Sequence, residues 1–294
     1  MEDKTYLFIV NPVSGNGKGR KMVDKIHKAM AKTKKVYRLE LTKGKGYAKR
    51  LALAATEDVV VAVGGDGTIN EVVNGIIKSD KVLGVVPSGT GNDFIRNLDI
   101  PKEPEKALER ILNGEEIAIN VGKAFEHYFV NIASVGLDAE IANEANRLKK
   151  FFNGTTAYVV AFIKALLSFN SISISIKNGK GSFKQETTLM ALCNGKSYGG
   201  GMKIAPLADM GDDLLDICIV KKINKLKLLL VFPTIFTGKH TKFKEVQIIK
   251  EPYISLRIED PVIINLDGEI YPITKEDFEV LEFKISKFKL KVLC

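Results

Sequence analysis

Two glycine-rich turns, each following a β-branched apolar run, constrain this chain more than any other feature. Gly64-Gly65-Asp66-Gly67-Thr68-Ile69-Asn70-Glu71 follows Val59-Val60-Val61-Ala62-Val63, and Pro87-Ser88-Gly89-Thr90-Gly91-Asn92-Asp93 follows Val82-Leu83-Gly84-Val85-Val86. Such short, continuous apolar runs suit parallel strands buried on both faces. Glycines at the strand end let backbone N–H groups come close to an anion, and a helix starting at once adds its positive dipole end. The carboxylates in these turns, Asp66 and Asp93, would repel a phosphate unless a divalent cation or a proton-accepting role explained them. The pair of turns therefore implies phosphoryl transfer from a nucleotide.

Around these turns, strand and helix signals alternate through the first hundred or so residues. Thr5 to Val10 reads as a buried strand, Arg20 to Lys34 as a helix, Val36 to Leu41 as a strand and Tyr47 to Ala55 as a helix. A helix is expected to begin at Thr68, its hydroxyl forming a capping box with Glu71. This alternation demands an α/β domain with a mostly parallel sheet, whose ligands sit beyond the carboxyl ends of its strands. The loops Asn11 to Gly19, Gly64 to Thr68 and Pro87 to Asp93 all lie at such ends, so three loops are expected to share one rim.

After a helix at Pro104 to Asn113 the pattern changes. Tyr128 to Ser134, Ser171 to Lys177, Thr187 to Cys193, Leu215 to Val220, Val246 to Ile249, Tyr253 to Ile258 and Val262 to Leu266 read as short strands. Helices are expected only near Asp138 to Lys149, Thr156 to Leu167 and Lys225 to Phe236. Many strands with few crossovers predict an all-β, sandwich-like second domain. The boundary is placed near Val121, giving domains of 1–121 and 122–274. Final strands at Phe278 to Ile285 and Phe288 to Val292 could close either one, so 275–294 is available to complete the first.

Composition narrows the class further. With 294 residues and 45% hydrophobic content, the chain can bury two cores of ordinary domain size. No apolar run reaches the roughly 20 residues of a membrane span, and the Met1-Glu2-Asp3-Lys4 start lacks the form of a signal peptide. Three cysteines, Cys193, Cys218 and Cys294, read as free thiols of a reducing cytoplasm. The net charge of +9 favours anionic partners. Lysines at Lys149-Lys150, at Lys221 to Lys227 and at Lys239 to Lys244 flank apolar stretches, which suits peripheral docking on an anionic bilayer. No RNP-like sequence, zinc-finger spacing or helix-turn-helix points to nucleic acid. A homodimer through an exposed sandwich edge stays open.

The first loop, Asn11 to Gly19, matches neither a Walker pattern nor a dinucleotide fingerprint, because Lys18 is followed by Gly19 rather than Ser or Thr. In the second loop, three glycines around an aspartate exceed what turning the chain requires. Gly64, Gly65 and Gly67 would admit phosphates, Asp66 would hold a magnesium ion, and Thr68 and Asn70 would add polar contacts. In the third, Asn92 and Asp93 read either as helix caps or as site residues. Late in the chain, Asp267-Gly268 after a strand is either a hairpin turn or part of a site.

These residues together resemble the diacylglycerol kinase catalytic family, a group of lipid kinases that extends to the sphingosine kinases. The likeness rests on the Asn-Pro-Val-Ser-Gly of Asn11 to Gly15, on Gly64 to Asn70, on Pro87 to Asp93 and on Asp267-Gly268-Glu269, in that order. NAD kinases and phosphofructokinases share a similar fold and only the second of these elements.

The resemblance implies a two-domain enzyme with ATP and magnesium in a cleft between the α/β domain and the sandwich. Its nucleotide contacts fall on Asn11, Pro12, Val13, Ser14 and Gly15, on Thr42, on Gly64, Gly65, Asp66, Gly67, Thr68, Ile69 and Asn70, and on Thr90. The family's proton acceptor maps to Glu269, with Asp267 as the alternate, and Asp66 and Asp93 assist through magnesium. A structural magnesium in the second domain maps to the Asp212 side chain and the carbonyls of Asp209 and Leu214. There the family's Asp-Asp-Gly has become Gly211-Asp212-Asp213. The expected activity is phosphorylation of a diacylglycerol-like lipid. The alternatives are a NAD kinase-like enzyme and a non-catalytic nucleotide sensor.

Overall fold

A computed structural model describes residues 4–148, 154–179, 181–274, 276–277 and 279–294. The chain divides into two compact units, the first formed by Met1–Asn120 with Lys287–Cys294, the second by Val121–Ser286.

In the first unit, β1 (Tyr6–Val10), α1 (Ser14–Met30), β2 (Tyr37–Leu41), α2 (Tyr47–Leu53), β3 (Val59–Gly64) and α3 (Asp66–Ile76) follow one another. Then come β4 (Val82–Pro87), α4 (Asp93–Asn97), α5 (Pro104–Asn113) and β5 (Glu116–Ile119). β1, β3 and β4 are buried along their whole length, as their apolar runs require. The four strands β2-β1-β3-β4 are parallel and adjacent in that order. Successive connections therefore leave β1 toward opposite edges, and a crevice opens between the carboxyl ends of β1 and β3. One core beneath this sheet joins Phe8, Val61 and Val86 to Met22 and Ile26 of α1 and Leu108 and Ile111 of α5.

The second unit begins with β6 (Gly122–Ala124), β7 (His127–Phe129), β8 (Ile132–Gly136), α6 (Leu137–Leu148), α7 (Gly154–Ser168), β9 (Ile172–Asn178) and β10 (Gly181–Cys193). It continues with β11 (Leu215–Lys221), α8 (Lys225–Val231), two short 3-10 turns over Phe232–Thr237 and Lys239–Lys242, β12 (Val246–Glu251), β13 (Tyr253–Ile258), β14 (Val262–Leu266), β15 (Glu269–Ile273) and β16 (Leu281–Ile285). All pairings in its sheet are antiparallel. The long strand β10 pairs β9 through its first half and lies between β8 and β11 through its second. Ile174, Leu256 and Phe283 from one part of the sheet meet Val135, Leu192, Ile217 and Leu266 from the other in a single core, the sandwich-like arrangement expected. A last strand, β17 (Leu290–Leu293), returns to the first unit and pairs β4 in parallel and β5 in antiparallel fashion.

Several local expectations need correction. The strand expected at Tyr128 to Ser134 is two strands, because the N–H groups of Val130, Asn131 and Ile132 turn toward the carboxylate of Asp267. The third helix starts at Asp66 rather than Thr68, with Gly65 as its cap. Glu71 therefore forms no capping box, and its carboxylate accepts the N–H of Gly46 at 2.7 Å and of Ala48 at 3.0 Å. Lys149, Lys150 and Phe278 lie outside the described residues. All three cysteines are free, and burial pushes the Cys218 thiol up to about 12.

Candidate active site

The carboxyl ends of β1, β3 and β4 bring the three sequence loops of the first unit together. After β1, Gly15, Asn16 and Gly17 all take the left-handed conformation, so the regular part of α1 begins beyond them. This turn lies against the loop after β4: a Cβ on Gly15 would sit 2.0 Å from the Ser88 carbonyl oxygen. The Ser14 and Ser88 hydroxyls are 2.5 Å apart, and Asn11 Nδ2 donates to Thr68 Oγ1 at 3.1 Å. Between β3 and β4, Gly65 and Gly89 pack backbone to backbone, with a Cβ on Gly89 only 2.4 Å from Gly65 Cα. Glycines thus let the three loops approach backbone to backbone, and short polar side chains tie them together.

The two aspartates of these loops face one space. Asp66 Oδ1 accepts the Phe94 N–H at 3.0 Å. A side chain on Gly91 would start 2.9 Å from Asp66 Oδ2 and 3.4 Å from Asp93 Oδ2, so both carboxylates border the volume that this glycine leaves open. The other Asp93 oxygen is held by Arg96 at 2.8 Å. Carboxylate oxygens are the donors a magnesium ion takes when phosphates and water complete its shell.

Gly67 differs from its neighbours. It lies in the first turn of α3 with an ordinary backbone, and a Cβ there would meet nothing within 4 Å among the described residues. A helical glycine costs roughly 1 kcal/mol relative to alanine, and no contact in the fold explains it here. The Asp66 and Gly67 amides precede the first bonds of the helix, which Thr68 and Ile69 make to the Gly65 carbonyl at 2.9 and 3.1 Å, and they stand at the positive end of the helix dipole. Of the remaining expected contacts, Thr42 follows β2 and donates its N–H to the Val10 carbonyl at 2.8 Å, beside Asn11. Thr90 and Val13 are exposed, Pro12 is half-buried, and Asn70 is buried with its side-chain oxygen accepting from Asn74 at 3.2 Å. Ile69 is buried in the core, so only its backbone is available to a ligand.

In the second unit, Asp267 and Gly268 have φ of 50° and 94° and form the tight hairpin between β14 and β15, pairing Leu266 with Glu269. The Asp267 carboxylate accepts three consecutive N–H groups, from Val130 at 2.6 Å and from Asn131 and Ile132 at 2.9 Å each. It is a structural clamp between hairpin and β8. Glu269 opens β15 half-buried, and burial, with the Glu269 charge added, raises the Tyr271 phenol above its usual range. Sequence reading missed the residues that hold this turn: Asn265 accepts the Gly268 N–H at 2.7 Å, and Asn146 of α6 donates to the Gly268 carbonyl at 2.8 Å. Asparagine preceding a turn is a weak local signal for the first, and no local signal marks the second.

The acidic loop before β11 forms a separate group. Asp209 Oδ1 accepts the Gly211 N–H at 2.8 Å, and Asp212 Oδ1 accepts that of Leu214 at 3.0 Å. Asp213, standing where the family has glycine, takes the left-handed φ of 61° itself, which aspartate tolerates better than most side chains. Among the described residues, no three His, Cys, Asp or Glu side chains are placed to hold a metal together. No described helix is long and apolar enough to cross a membrane.

Comparison with known proteins agrees with this geometry. Residues 5–124 match the family model described as the diacylglycerol kinase catalytic domain, and residues 131–285 match the YegS C-terminal NAD kinase beta sandwich-like domain. The chain is similar to a diacylglycerol kinase of Mycobacterium tuberculosis, 32% identical over 89% of this chain and 87% of that one. It is also similar to a diacylglycerol kinase of Bacillus subtilis, 34% identical over 72% of this chain and 71% of that one. A crystal structure of a diacylglycerol kinase from Bacillus anthracis shares the fold with a TM-score of 0.75, at 20% identity over 99% of this chain and 96% of that one. With glycine loops meeting at the switch point of a parallel sheet, and both family models matched in order, the chain belongs to the diacylglycerol kinase family of lipid kinases.

Proposed function

We propose that this protein transfers the γ-phosphate of ATP to the hydroxyl of diacylglycerol, forming phosphatidic acid, with magnesium. The observation that carries this reading is Gly67, a helical glycine facing open space at the head of α3, where a side chain would fill the room of a phosphate. Asn11, Ser14, Gly15 and Thr42 line the same rim, and Gly64, Gly65 and Gly89 let the loops close without bulk. Magnesium would rest against Asp66 and Asp93, and when bound it supplies charge neutralisation of the phosphates. Phosphoryl transfer needs positioning more than covalent chemistry, so these residues act chiefly by orienting the donor.

Glu269 takes the proton of the acceptor hydroxyl. Asp267 is excluded from that role by its three amide partners, which occupy both of its oxygens. Its part is to fix the turn that presents Glu269.

Diacylglycerol resides in a bilayer, and the second unit carries a surface suited to one. Val159, Ile163 and Leu167 of α7 and Leu226, Leu229 and Leu230 of α8 are exposed. Lys225 Nζ joins the helices by donating to the Leu167 carbonyl at 2.7 Å. Lys221 and Lys222, exposed shortly before α8 in the chain, add positive charge suited to anionic headgroups around an apolar contact. Flotation tests this docking: binding to phosphatidylglycerol vesicles should exceed binding to phosphatidylcholine, and equal binding refutes it.

For the reaction, labelled ATP is incubated with diacylglycerol in mixed micelles, with NAD as a second acceptor. Labelled phosphatidic acid is expected. Labelled NADP, or ATP binding without transfer, overturns the proposal.

A further inference from the structure

The acidic loop before β11 is where the family resemblance implies a structural divalent ion, yet this chain brings a cation of its own. Lys250 of β12 is the direct cross-strand partner of Asp216 of β11. Its Nζ lies 2.7 Å from Asp212 Oδ2 and 3.3 Å from Asp216 Oδ2. Asp216 is only 2% exposed, and its Oδ2 has no hydrogen bond among the described residues, so the ion pair with Lys250 is the charge compensation it receives. The Asp212 side chain, the one carboxylate assigned to the metal, is engaged at both oxygens, by Lys250 and by the Leu214 N–H.

A divalent ion and an ammonium group cannot share this position. A cation bound to Asp212 Oδ2 would stand within a few ångströms of Lys250 Nζ, where like charges repel and compete for the same carboxylate oxygen. The residues present therefore do not fit the metal while Lys250 keeps its place.

We infer that the Lys250 ammonium replaces the structural divalent ion in this chain, so that the second unit holds its acidic loop without bound metal. The divalent requirement of the protein then belongs to the nucleotide alone. Strand pairing is what makes the replacement workable, because β12 delivers the ammonium from the neighbouring strand rather than from solvent. A buried carboxylate left without its cation is strongly destabilising, so removing the ammonium should create a demand for another cation.

Thermal unfolding of the full chain, with neither nucleotide nor lipid present, tests this independently of the kinase reading. The midpoint should be the same in EDTA and in millimolar magnesium. Lys250→Met should lower the midpoint in EDTA by several degrees and recover part of the loss on adding magnesium or calcium. Lys250→Arg should keep the metal-independent behaviour. The inference is overturned if the unsubstituted chain loses stability in EDTA and regains it with magnesium, with Asp212→Asn abolishing the response. It is equally overturned if Lys250→Met gains no response to either ion.

Discussion

The carboxylate of Asp66 accepts the backbone N–H of Phe94 at 3.0 Å, so the turn after β3 dictates where the helix after β4 begins. One oxygen builds the loop pair and the other borders the space beside Gly91. Charge and hydrogen bonding can be separated here. Asp66→Asn keeps an oxygen for the Phe94 N–H and loses the charge, so the unfolding midpoint should hold while phosphorylation falls about 10²–10³-fold. Asp66→Ala should also destabilise by about 1–3 kcal/mol, through an unsatisfied amide. Thermal melts beside a micelle assay distinguish the two.

On the proposed mechanism, the hairpin of β14 and β15 divides stability from chemistry between two carboxylates. Asp267→Ala strands three N–H groups and should cost on the order of 3 kcal/mol or more in urea unfolding. Glu269→Gln should leave the urea midpoint nearly unchanged and lower kcat by about 10²–10⁴-fold. A stable Asp267→Ala protein that is inactive, beside an active Glu269→Gln, would reverse the assignment.

Two glycines of the rim make opposite predictions. At Gly15, with φ of 56° and Ser88 in the way, alanine should push the loops apart and reduce both stability and nucleotide affinity. Gly67→Ala meets nothing in the fold and should be stable, with a gain of up to about 1 kcal/mol from helix propensity. Calorimetry should nevertheless show that it binds ATP far more weakly. Undiminished ATP affinity in Gly67→Ala would remove the main support for a phosphate at this helix.

Acid should weaken the second unit through His240. This side chain is 2% exposed, its Nε2 lies 2.9 Å from the Ile204 carbonyl, and Nδ1 has no partner among the described residues. Burial lowers its pKa below the usual imidazole range. The unfolded chain therefore binds a proton that the folded chain refuses, and stability is lost as pH falls below about 6.5. The slope can reach about 1.4 kcal/mol per pH unit. Urea midpoints between pH 7 and 5 should drop less for His240→Gln than for the unsubstituted protein.

What was legible in the sequence was what local pattern controls. Buried parallel strands announce themselves as apolar runs, so β1, β3 and β4 and the three loops at their ends could be read directly. At Asp267-Gly268 local pattern leaves a hairpin and a site both open, and the fold forms the hairpin because these two residues take the left-handed conformations it needs. The illegible parts are set by partners distant in the chain. Glu71 carries a capping-box spacing but is drawn to the amides of α2. The break at Val130 is imposed by a carboxylate 137 residues away. Lys250 gives no sign of its role until strand register places it opposite Asp216.

The return of β17 to the first sheet has a consequence for biosynthesis. That strand separates β4 from β5, yet it leaves the ribosome after every residue of the second unit has been made. The domain begun first is thus finished last. Its glycine-lined rim hangs from a sheet that waits, one edge open, for a strand of four residues.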